Sequence, residues 1–175
     1  MKTRIAFLAL VAGLTLAFGI LAAACGDGDG DGGGDGGLTL EEYFQQLETL
    51  STKLDDDAGA LGEQMQATQD VGEGKEIFAQ FVGVLEAFVA DLEALEAPDE
   101  AQAAHDEAIV AGNAFVAEFQ SAVDAGQDAT TFEEIFAAAA SEAFAAADEA
   151  FSATCVALEG IATDNSITVD LGCDE

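Results

Sequence analysis

The chain has 175 residues, half of them hydrophobic, and sets 35 acidic side chains against four basic ones for a formal net charge of −31. Lys2 and Arg4 precede every acid, so residues 26–175 oppose all 35 carboxylates with Lys53 and Lys75 alone, a charge of −33. Two lysines cannot displace the counterions of a phosphate backbone, which excludes nucleic acid as a partner and disfavours direct adsorption to anionic lipid.

From the N-terminus, Lys2 and Arg4 are followed by an uncharged, largely apolar run over residues 5–24, and the small residues Ala22, Ala23 and Ala24 stand directly before Cys25. A basic start, an apolar run and small residues at its end are the parts of an export signal. The stretch Leu21-Ala22-Ala23-Ala24-Cys25 resembles the lipobox of bacterial lipoproteins, with the leucine one step further from the cysteine than that family usually places it. The resemblance implies that residues 1–24 are a signal peptide and that Cys25 carries a diacylglyceryl group. It further implies that the protein is held by lipid on the extracytoplasmic face of a cell membrane. An uncleaved anchor helix and an ordinary cleaved secretory signal are the alternatives. Two or more acyl chains hold a protein persistently where one binds reversibly, each buried CH₂ contributing about 0.8 kcal/mol.

Residues 26–37 are eight glycines and four aspartates. With no apolar area to offset ordering entropy, they are expected to form a flexible tether of roughly 19 Å typical reach. Asp27, Asp29, Asp31 and Gly32 match the first half of a calcium loop, but Leu38 stands where its bidentate glutamate belongs. Loose cation condensation is the better account.

Residues 38–163 are expected to fold as one acidic four-helix bundle, and 164–175 as an extended tail. Thr39 and Glu42 form a capping box, with Leu38 placed to staple against Tyr43. Tyr43, Leu47, Leu50, Leu54, Ala58, Leu61 and Met65 then recur at helical spacing. Gly59 and Gly62 weaken that helix, and residues 70–74 read as a turn in which Asp70 and Glu73 are spaced for a second cap. Phe78, Phe81, Leu85, Phe88, Leu92 and Leu95 mark helix two by a heptad-like stripe, which Pro98 ends. Helix three places His105, Ile109, Gly112, Val116, Phe119 and Val123 on one side and fades near Gly126. Thr130 or Thr131, with Glu133 or Glu134, caps a fourth helix predicted to run continuously through Ile135, Ala140, Phe144, Phe151, Cys155 and Ile161. None of these segments buries its apolar face alone, and the short connections predict an all-α, antiparallel up-down bundle.

With Cys25 assigned to lipid, Cys155 and Cys173 remain as a pair in an oxidising compartment, which predicts a disulfide that ties the tail back onto the bundle. His105, the one histidine, is expected as a hydrogen-bonded residue of the bundle interior. A zinc site lacks further soft ligands, and Gln102 stands where a di-iron E-x-x-H pair needs glutamate. Met65 with His105 is the pair that would ligate a haem or touch another ligand, although each has a simpler place in the core. No cofactor, metal or catalytic group is expected. Two function classes remain: a noncatalytic interaction module that binds an envelope component or protein, and a bundle that carries a small apolar or cationic ligand.

Overall fold

The structure is a computed structural model that describes residues 37–173; the expected signal peptide, Cys25 and the Gly/Asp segment up to residue 36 lie outside the described residues. The described chain is all-helical, with α1 over Leu40–Ala67, α2 over Val71–Glu93, α3 over Asp99–Ala125, α4 over Phe132–Ala138 and α5 over Glu142–Asp164. Helix α1 packs on α2, α2 on α3 and α3 on α5, while the short α4 touches α3 and α2.

Local chemistry sets most of the helix starts. Thr39 and Glu42 close the capping box reciprocally: the Glu42 N–H donates to Thr39 Oγ1 at 3.2 Å and the Thr39 N–H to Glu42 Oε2 at 2.9 Å. Asp70 accepts from the Glu73 N–H at 2.9 Å, Thr131 from Glu134 at 3.2 Å and Ser141 from Phe144 at 3.0 Å. Each satisfies an amide that the helix itself leaves without a partner. Pro98 stands immediately before α3, where its carbonyl accepts the first helical N–H groups from Ala101 and Gln102.

Three expectations are corrected. Gly59 and Gly62 do not interrupt α1, which runs unbroken for 28 residues. Residues 71–74 are already helical, the cap at Asp70 starting α2 at once, and Gly74 is buried. The fourth predicted helix is two, α4 and α5, separated at Ala139–Ser141. Helical geometry explains the break. At 3.6 residues per turn, Ile135 and Ala139 would lie about 130° around a continuous helix from Ala147, Phe151, Leu158 and Ala162. Interrupting the helix lets both sets turn inward, and Ser141 supplies the cap for the restart.

Two apolar clusters result. One gathers Tyr43, Phe44 and Leu47 of α1 with Leu92, Leu95, Ala101, Ala108, Leu158, Ala162 and Leu171. The other gathers Phe78, Ala122, Ala129, Ile135 and Ala139, with Met65 and Phe119 packed against it. Between them runs a series of ring contacts from Phe88 to Phe151 (centroids 6.1 Å apart), Phe151 to Phe115 (5.8 Å), Phe115 to Phe144 (5.2 Å), Phe144 to Phe119 (5.5 Å) and Phe119 to Phe78 (5.0 Å). Such pairs contribute about 0.5–1.5 kcal/mol each beyond their area. Gly112 admits this packing, since a Cβ there would stand 2.9 Å from Val89 Cγ2 and 3.4 Å from Phe151 Cε2.

Candidate functional site

Tyr43 and His105 reach the same interior point from α1 and α3, the Tyr43 hydroxyl lying 3.1 Å from His105 Nδ1. Tyr43 is wholly buried and His105 is 3% exposed. Burial pushes the phenol upward, so it keeps its proton. Burial also pushes the imidazole down, with the neighbouring Asp106 charge partly opposing it. A protonated phenol beside a neutral imidazole makes one satisfied hydrogen bond inside an apolar cluster, the arrangement that keeps buried polar groups from being costly.

His105 also lines an open cleft of about 410 Å³ between the residues that lead into α1, the α2–α3 connection and the first turns of α3. Leu38, Leu95, Pro98 and Ile109 give it apolar walls, while Glu93, Glu96 and Asp106 bring three carboxylates. Glu93 accepts from Asn113 Nδ2 at 3.1 Å and Asp106 from Gln102 Nε2 at 2.8 Å. Among the described residues neither lysine neutralises them, since Lys53 pairs with Asp91 at 2.8 Å and Lys75 donates to the Gln127 carbonyl at 2.8 Å. Among the described residues no three His, Cys, Asp or Glu side chains are grouped to hold a metal ion. The cleft lining thus combines carboxylates and one imidazole with apolar walls, and no hydroxyl or thiol side chain is among the described residues that line it.

Met65 and His105 are not brought together. Met65 packs against the cluster around Phe78 and Ile135, whereas His105 bonds Tyr43 in the other cluster. Tyr43 and Met65 are separated along one helix by about 33 Å at 1.5 Å per residue, so no haem spans Met65 and His105. Cys155 and Cys173 are joined by a disulfide, with Cα atoms 5.5 Å apart. The lipidation expected at Cys25 falls outside the described residues. Among the described residues no helix is long and apolar enough to cross a membrane.

Tyr43 was legible only as a member of the α1 stripe. A polar group on the inner face of α1 and another on that of α3 is a signal that they pair, and it was available in the sequence. Glu93, Glu96 and Asp106 gave no such signal, because acids stand on every helix. Compared with known proteins, the chain matches no family model, no curated protein and no solved structure.

Proposed function

We propose that the chain is a lipoprotein of the cell envelope, tied through lipid on Cys25 to the extracytoplasmic face of a membrane, whose acidic domain serves as a noncatalytic interaction module. Its four long helices run up, down, up and down, with α4 a short interruption and the disulfide-linked tail laid along the bundle. Connections of three residues between α1 and α2 and five between α2 and α3 support this course, since packed neighbours joined so tightly reverse direction. The Cys155–Cys173 disulfide supports an oxidising compartment. The observation that carries the interaction reading is the run of contacting phenylalanine rings that closes the seam between α2, α3 and α5, most of them half-buried, so that the bundle offers a partner apolar area at its surface.

The test is intact-mass analysis of protein extracted in mild detergent from its own membrane. A diacyl or triacyl adduct on Cys25 that disappears with Cys25→Ser supports the anchor, and an unmodified Cys25 overturns it. Pull-down of the same preparation against envelope proteins, with an unlipidated control, tests the module.

The cleft beside His105 favours a second reading, a carrier for a small organic cation. Its apolar walls suit a hydrocarbon segment and its three carboxylates suit an ammonium or guanidinium group. A mass retained on the native protein, lost when Glu93 and Glu96 are changed to Gln, would place the carrier reading first.

A further inference from the structure

Beyond α5 the chain turns back as a strap, residues 167–173, held almost entirely by groups of α1 and α5. The Leu171 carbonyl accepts from Ser51 Oγ at 2.7 Å, the Leu171 N–H donates to Glu159 Oε1 at 2.9 Å and the Asp170 N–H to Glu48 Oε1 at 3.3 Å. The Leu171 side chain is 5% exposed and belongs to the cluster formed by Tyr43, Leu47 and Leu158. Helices α1 and α5 are not among the closely packed pairs, so the strap bridges the seam between them.

This seat recognises an extended backbone and one leucine, and nothing in that recognition depends on which copy supplies the strap. The strap leaves α5 through Ser166, a non-glycine residue with φ 60°, a left-handed conformation that strains an L side chain and is relieved if the strap swings out. Covalently, the Cys155–Cys173 bond is what commits the strap to its own α5. We infer that the strap is an exchangeable arm and that the seat between α1 and α5 also accepts the strap of a second copy of this chain, the disulfide fixing whichever pairing is seated when it closes. Contacts are the same in both pairings, the condition under which swapping an element costs little. Mutual repulsion between two domains of this charge opposes the exchange, so it is favoured by salt.

The bond-forming step is ordinary thiol–disulfide exchange. The Cys155 thiolate attacks oxidised glutathione, releasing one reduced glutathione, and the seated Cys173 thiolate then displaces the second. Two protein thiols lose two electrons and two protons, and one glutathione disulfide becomes two thiols.

Two full-length variants test this, both with Cys25→Ser so that each retains one thiol: Cys155→Ser as strap donor and Cys173→Ser as seat donor. Each is checked for native helicity, then the two are mixed in a glutathione buffer at low and molar NaCl. Seating holds the incoming thiol at an effective concentration on the order of millimolar. Mixed Cys155–Cys173 dimers are therefore expected over random pairing by about tenfold or more. The excess should grow with salt and vanish when Leu171→Asp is placed in the strap donor. Dimers in the statistical ratio, or an excess indifferent to Leu171→Asp, overturn the inference. If either variant does not fold, the Cys25→Ser chain is refolded from the reduced state over a concentration series. Dimers linked Cys155 to Cys173 and rising with concentration support exchange, and monomers at every concentration refute it.

Discussion

Tyr43 and His105, 62 residues apart in the chain, share a hydrogen bond of 3.1 Å in a cluster otherwise made of leucine, alanine and phenylalanine. Each supplies what the other needs, a phenol that keeps its proton and an imidazole that remains neutral. Tyr43→Phe leaves Nδ1 buried and unpaired, at an expected loss of about 1–3 kcal/mol. Adding His105→Leu to Tyr43→Phe should restore part of that loss. Urea unfolding of the two single variants and the double variant measures the coupling, and additive losses would mean that the bond contributes nothing.

The pH dependence of stability has two parts of opposite sign. His105 has a folded pKa below 6.5, so the folded state binds fewer protons than the unfolded chain near that pH. Its contribution is complete above about 6.5 and is lost as pH falls from there through the lower folded pKa. His105→Leu should flatten this portion of the profile. Asp148 is raised above 3.8 by burial, so its contribution is complete below 3.8 and is lost as pH rises through its folded pKa. Asp148→Asn is accordingly expected to raise the thermal midpoint at pH 7 and to leave it nearly unchanged at pH 3. A midpoint that moves equally at both values would assign the effect to packing instead.

Two helical glycines should respond in opposite directions to alanine. A Cβ at Gly160 meets no atom within 4 Å, so Gly160→Ala should stabilise by about 0.5–1 kcal/mol through helix propensity alone. A Cβ at Gly112 would press on Val89 and Phe151, and Gly112→Ala should destabilise by about 1–3 kcal/mol. Denaturant midpoints of the pair at unchanged m-value decide the matter.

Salt should stabilise the domain. Residues 26–175 carry 35 acids against two lysines, and the Lys53–Asp91 ion pair is largely exposed, so solvent and salt screen what it contributes. Screening shortens from roughly 10 Å at 0.1 M to 3 Å at 1 M, which removes repulsion across the helical surface. A thermal midpoint that rises steadily between those concentrations is expected, and one that falls or stays level contradicts it.

What the sequence made legible follows the range of the forces involved. Caps act within four residues, so Thr39 with Glu42 and Asp70 with Glu73 could be read directly, as could the stop at Pro98. The Cys155–Cys173 pairing followed from cysteine count and a short return path. The break at Ala139–Ser141 was hidden because an alanine run satisfies a helical stripe on any face, and only the directions of Ile135 and Leu158 in three dimensions require it. Gly59 and Gly62 misled for the converse reason: local propensity costs about 1 kcal/mol each, and the packing of Leu61 and its neighbours outweighs it. The cleft lay beyond sequence reasoning because it is made by three separated segments whose acids look like any others here.

The scarcity of lysine has a practical side. Trypsin finds two cleavage points in residues 26–175, after Lys53 within α1 and after Lys75 within α2, and both side chains are engaged by a neighbouring element. Digestion of the native domain must wait for a helix to open, so the rate of cutting reports local unfolding of α1 and α2 separately. Once denatured, the chain yields only long peptides, the last running from 76 to 175 with both disulfide cysteines inside it. Identifying this protein by peptide mapping therefore calls for a protease that cuts at its carboxylates.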